Sequence, residues 1–97
     1  MRKAYWISTY QKVIDDTKLA AYAALAGPAI SAGGGRFLAR GKPAKAYEAG
    51  VLERTVLIEF DSLDAAINTH DGAAYGAALD ALDGGPIREI RIVEAAE

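Results

Sequence analysis

The sequence contains no cysteine. Disulfides, thiolate metal sites and cysteine nucleophiles are therefore excluded. It has one histidine, His70, too few for the ligand cluster that a metal site needs. Positive charge is scarce as well: the net charge is −2 and the pI about 5.3. The nearest approach to a basic stripe is Arg36, Arg40, Lys42 and Lys45. Flanking a turn, these read as a solvated hairpin, so nucleic acid is not an expected partner. No apolar run approaches the roughly 18 residues of a membrane span. Met1-Arg2-Lys3 leads straight into a strand of mixed polarity. A soluble cytoplasmic protein with no membrane partner is the expectation. Catalytic signatures are also missing: there is no Ser-His-Asp order, HExxH pattern, nucleotide fingerprint or EF-hand loop.

What is present is one pattern written twice. The strand Ala4-Tyr5-Trp6-Ile7-Ser8 runs into Asp15-Asp16 and an Ala-rich helical stretch. That stretch stops at Gly33-Gly34-Gly35, and the strand Arg36 to Arg40 follows. Further on, the strand Thr55 to Phe60 runs into Asp61-Ser62 and a second Ala-rich helical stretch. It ends at Gly84-Gly85-Pro86 and yields the strand Ile87 to Val93. Two βαβ halves predict an α+β fold: a ferredoxin-like βαββαβ sandwich with an antiparallel sheet in spatial order 4-1-3-2. The 97 residues are expected to form a single domain, 1–97. Hydrophobic residues make up 52%, but alanine and glycine dominate them, so the core is thin and a second subunit is expected to share the burden.

The boundaries follow from local chemistry. Asp15 or Asp16 can cap the first helix. Leu19, Tyr22, Ala23, Ala26 and Ile30 form its apolar stripe. Gly27-Pro28 inside that stripe predicts a kink or a break. The strand before Asp61 is expected to span Leu52 to Phe60, with Asp61 or Ser62 capping the next helix and Asp71-Gly72 interrupting it. The triple glycine lies after a helix and before a strand, the reverse of a phosphate loop, and reads as a helix stop.

Few residues carry chemistry. Glu59 sits between Ile58 and Phe60 in the strongest strand, where a carboxylate needs a partner. It is either a salt bridge to Arg54, Arg40 or Arg36, or part of a site in which an arginine anchors a ligand carboxylate. By alternation Arg54 and Glu59 face opposite sides, which makes Arg40 the better partner. Trp6, Tyr10, Tyr22 and Tyr75 supply enough aromatic surface for a pocket wall, or for core and subunit contacts. His70, at a helix end, reads as structural. Trp6 and Leu57 are assigned by alternation to the sheet face away from the helices, as an apolar patch that a second copy would cover.

Taken together, Tyr5-Trp6-Ile7, Pro28, Gly34 to Gly41, Gly50 with Arg54 to Phe60, Ser62, Tyr75 and Ile92-Val93-Glu94 resemble the domain of unknown function 1330 family over nearly the whole chain. The resemblance implies a homodimer of the dimeric α/β-barrel type, with two sheets packed face to face. Relatives by fold include cofactor-free monooxygenases, muconolactone isomerases and chlorite-dismutase-like haem proteins. Members often read Ser-Pro-Glu-Tyr where this chain has Gly72-Ala73-Ala74-Tyr75, so any role of that acid does not carry over. No histidine lies near the third strand, and neither haem nor any other cofactor or metal is expected. The expected function is binding of a small acidic organic metabolite in a cleft between helices and sheet, with cofactor-free isomerase or monooxygenase-like chemistry. Arg40, Arg54 and Glu59 would be the polar anchors, and Trp6, Tyr22 and Tyr75 the walls. The alternative is a non-catalytic dimeric interaction module without a true pocket.

Overall fold

Side-chain alternation along the strands decides the architecture. In a computed structural model that describes residues 2–97, β1 (Ala4–Val13) buries Ala4, Trp6, Ser8 and Tyr10 and leaves Tyr5, Ile7 and Thr9 partly open. β3 (Thr55–Phe60) does the same with Val56, Ile58 and Phe60 against Thr55, Leu57 and Glu59. One face of the sheet is therefore core, and the other has no cover from its own chain. The core face carries α1 (Asp16–Ala32), α2 (Leu63–Asp71) and α3 (Ala73–Leu82); β2 (Arg36–Gly41) and β4 (Pro86–Glu94) complete the sheet. All neighbouring strands are antiparallel, in the order β2-β3-β1-β4. Read from the other edge, that is the expected 4-1-3-2. The fold is a ferredoxin-like α+β sandwich, only 16 Å along its shortest axis, as two layers require.

The helix ends follow the capping residues. Asp15 Oδ1 accepts from the Lys18 N–H at 3.0 Å, and Ser62 Oγ from the Ala65 N–H at 3.1 Å. Gly34, with φ of 94°, makes the turn that ends α1. Next to it, a Cβ on Gly33 would collide with Thr69, so α1 and α2 approach closely there.

Three expectations are corrected. Of the kink or break expected at Gly27-Pro28, the break is absent: α1 runs unbroken to Ala32. Proline removes the donor to the Ala24 carbonyl, but Ala24 is exposed and water can serve that oxygen. Gly27 lacks the Cβ that would clash with the proline ring in a helical conformation. The third strand begins at Thr55, not Leu52; the segment from 42 to 54 is irregular. Trp6 faces the helices, fully buried, while Leu57 faces away. The two lie on opposite faces because Trp6 pairs with Ile58 and Leu57 with Ile7. The uncovered face instead presents Tyr5, Ile7, Leu57 and Val93.

Candidate functional site

The cross-strand register arranges the core face in rows, each roughly 7 Å from the next along the strands. Phe37, Ile58, Trp6 and Ile92 form one row; Arg40, Val56, Ser8 and Ile90 the next. Arg54, Tyr10 and Arg88 form the third, with the Tyr10 N–H donating to the Arg54 carbonyl at 3.0 Å. The face thus grades from apolar to cationic along the strand direction.

Between α1 and the β2-β3-β1 part of this face runs a narrow cleft. Its cavity volume is only about 30 Å³; counted out into the open solvent at its mouth, the empty space is about 360 Å³. Tyr22, Ala23, Ala26 and Gly27 of α1 form its roof; the small side chains leave the gap, and a Cβ on Gly27 would meet nothing within 4 Å. Trp6, Ile58 and Phe37 line its apolar end, with Ser8, Arg40 and Arg54 toward the polar end.

Arg40 reaches the cleft because of a β-bulge. Phe37 pairs with Ile58 and Ala39 with Leu57, so Leu38 is extra. The extra residue reverses the alternation and puts Phe37 and Arg40 on one face. The Arg40 guanidinium lies 4.6 Å from the Phe37 ring centre. Arg54 stays on the core face by parity with Val56. Its Nε is shielded from solvent and has no hydrogen-bond partner among the described residues, an arrangement proteins rarely leave uncompensated.

Behind the cleft wall lies a cation that sequence reasoning missed. Arg88, half-buried, donates to the Tyr10 hydroxyl at 3.0 Å, to Tyr22 at 3.1 Å and to Tyr75 at 3.2 Å. Tyr22 and Tyr75 share a further hydrogen bond of 2.7 Å. The guanidinium also lies 4.6 Å from the Tyr22 ring centre and 5.5 Å from that of Tyr10. No carboxylate joins the cluster. Burial works against the charge on Arg88, but its hydrogen bond to Tyr22 and the Tyr75 and Tyr10 oxygens outweigh that and hold it protonated. Burial, with Tyr22 beside it, pushes the Tyr75 phenol up, so Tyr75 stays a neutral hydroxyl. The signal for Arg88 was its parity with Ile90 and Ile92, the inward positions of β4.

Of the expected site residues, Arg40, Arg54, Trp6 and Tyr22 converge on the cleft. Tyr75 does not line it. Fully buried, it backs the wall with its ring centre 4.9 Å from that of Trp6, edge-on. Glu59 is on the opposite face of the sheet. It pairs with Arg36, not Arg40: Arg36 stands opposite it in the register and donates to Oε1 at 2.9 Å and 3.1 Å. β2 does lie beside β3, but the bulge turns Arg40 away. Lys3 and Asp61 complete that surface network, and the Arg36 hydrogen bonds hold both carboxyls below their ordinary range. His70 packs against Trp6 and Tyr75, at 5.4 Å and 5.2 Å between ring centres, with Nδ1 3.0 Å from Asp71. Among the described residues no three metal-ligating side chains come together, and no helix is long and apolar enough to cross a membrane.

Known proteins share this architecture at low identity. A protein of unknown function from Rhodopseudomonas palustris superposes with a TM-score of 0.76 at 12% identity, covering 99% of this chain and 84% of its own. SnoaB, a cofactor-independent oxygenase from Streptomyces nogalater, gives 0.67 at 12% identity, covering 100% and 96%. A dimeric ferredoxin-like protein of unknown function from Bacteroides fragilis gives 0.57 at 16% identity, covering 96% of each chain. No curated protein matches the sequence. These likenesses carry the fold; the family is carried by the sequence itself, which from residue 3 to residue 96 matches the domain of unknown function DUF1330, and the chain belongs to that family.

Proposed function

We propose that the protein is a homodimer that binds a small organic acid in the cleft beneath α1. One observation carries this reading: Arg54 holds a shielded Nε–H with no partner among the described residues, in a cleft that Arg40 also lines and no carboxylate does. A ligand carboxylate would supply the missing acceptor and the missing charge. The apolar end at Trp6, Ile58 and Phe37 suits a short hydrocarbon portion. An interaction module without a pocket would have no use for a shielded, unpaired arginine nitrogen facing a cleft, with a second arginine at its rim. The dimer reading rests on the uncovered sheet face, with Ile7 opposite Leu57 at its centre, and on the dimeric ferredoxin-like protein from Bacteroides fragilis. Cofactor-free chemistry of the isomerase or monooxygenase kind is the class to examine, as the streptomycete neighbour is a cofactor-independent oxygenase.

The test is a thermal-shift screen of small monocarboxylates against the native protein and Arg40→Met, Arg54→Met and Glu59→Gln. Acids should raise the melting temperature of the native protein and of Glu59→Gln, and do so much less for the two arginine variants. A response that survives loss of both arginines, or that vanishes only with Glu59, would refute the site.

A further inference from the structure

The cleft offers donors and no carboxylate acceptor, and this restricts its ligand further. Ser8 is the least obvious member. It sits at the centre of the cleft floor, 3% exposed, in the row next to Arg54 and Tyr10. Its Oγ accepts from the Trp6 indole N–H at 3.1 Å. Its own hydroxyl proton has no acceptor among the described residues. A serine hydroxyl is one donor with two acceptor sites; here Trp6 fills an acceptor site and the donor is unspent. Beside it stand Arg40 and Arg54, which can only donate. No aspartate or glutamate lines the cleft, so nothing there would receive an ammonium group, and the guanidinium groups would repel one.

We infer that the ligand carries, besides its carboxylate, a second uncharged acceptor oxygen, a ketone in the simplest case, and no amine, and that the Ser8 hydroxyl binds that oxygen. Ser8 and Arg54 stand about one row and one strand apart, roughly 8 Å between backbones. The long arginine side chain spans much of that, so an oxo acid of about five carbons, with its chain extending into the open mouth of the cleft, can meet both. The discrimination follows from desolvation. A site built to hydrogen-bond an oxygen is left with a buried unpaired donor when the oxygen is missing, and it rejects the analogue. The inference rests on the reading of the cleft as a carboxylate site and adds the second contact.

Isothermal titration calorimetry with pentanoate, 2-oxopentanoate, 4-oxopentanoate and 5-aminopentanoate tests it. At least one oxo acid should bind the native protein about tenfold more tightly than pentanoate, and 5-aminopentanoate should not bind. Ser8→Ala should remove the oxo-acid preference, read as the ratio of oxo-acid to pentanoate affinity; Ser8→Thr, which keeps the hydroxyl, should retain it. Arg54→Met should weaken all the acids together. Pentanoate and both oxo acids binding the native protein equally, or the preference surviving Ser8→Ala, would overturn the assignment of Ser8 and leave the carboxylate site standing. No binding of any acid to the native protein would overturn the carboxylate site and the assignment with it. If Ser8→Ala, which strands the Trp6 N–H, does not fold, the ligand series on the native protein decides alone.

Discussion

Replacing Arg88 by methionine should destabilise the fold, and the structure sets the scale. Three hydrogen bonds of 3.0 Å, 3.1 Å and 3.2 Å to tyrosine hydroxyls are lost. Each is charge-assisted, of the class worth about 1.5–3 kcal/mol. Against this stands the desolvation of a half-buried guanidinium, which methionine avoids while filling similar space. The groups left behind are neutral. Tyr22 and Tyr75 keep each other, and only Tyr10 loses its partner outright. The loss should therefore fall below the 3–5 kcal/mol seen when a buried ion is left alone; about 2–3 kcal/mol is expected. A chain of this length has a total of about 5–15 kcal/mol, so the effect is large. It corresponds to a fall of roughly 10–20 °C in melting temperature. Urea unfolding followed by the fluorescence of Trp6, the only tryptophan, measures it directly. Arg88→Lys should recover little, because an ammonium cannot present a planar fork to three hydroxyls. An unchanged or more stable Arg88→Met protein would refute the reasoning. The guanidinium would then be a net cost to the fold.

The ferredoxin-like order was legible because each half carries its own punctuation: a strand, a cap at Asp15 or Ser62, small-residue helices and a glycine stop. The faces were harder. β1 has aromatic residues at both parities, Tyr5 and Trp6, so alternation alone could not choose the inward one. The choice comes from packing: Trp6 is closed in by Phe60, His70 and Tyr75, all distant in sequence. Arg40 was given the wrong partner. A one-residue bulge inverts a strand's faces, and nothing in Arg36 to Arg40 announces it. Arg88 was passed over because Arg88 and Arg91 sit at opposite parities among isoleucines, and a sequence does not say which is covered. Tyr75 was placed in the right neighbourhood but one layer too far forward. What pattern could supply was element order; what it could not was which polar side chains the register brings together.

Ala23→Leu, on the exposed rim of the cleft roof, should block acid binding in thermal shift with little change in intrinsic stability, since leucine and alanine are both good helix formers; undiminished binding would place the ligand elsewhere. Ile7→Asp puts a charge opposite Leu57 at the centre of the uncovered sheet face, and sedimentation should show the native protein at twice the chain mass and the variant as a monomer; equal masses for both would remove the face-to-face dimer. The last expectation concerns acid. Hydrogen bonds from Arg36, helped by Lys3, depress the folded-state titration of Glu59 and Asp61. A carboxyl depressed on folding contributes stability that is fully present above its unfolded value and is lost as the pH falls through the folded one. The contribution is therefore intact near neutrality and disappears below about pH 4, as the two groups take up protons. Native protein should lose urea resistance between about pH 5 and pH 2 more steeply than Arg36→Gln, whose carboxyls titrate closer to their unfolded values. Since the network is on the surface, the difference should be modest and shrink in high salt. Parallel pH profiles for the two proteins at low salt would show that Arg36 does not set these carboxyls, and that the surface network is only a contact.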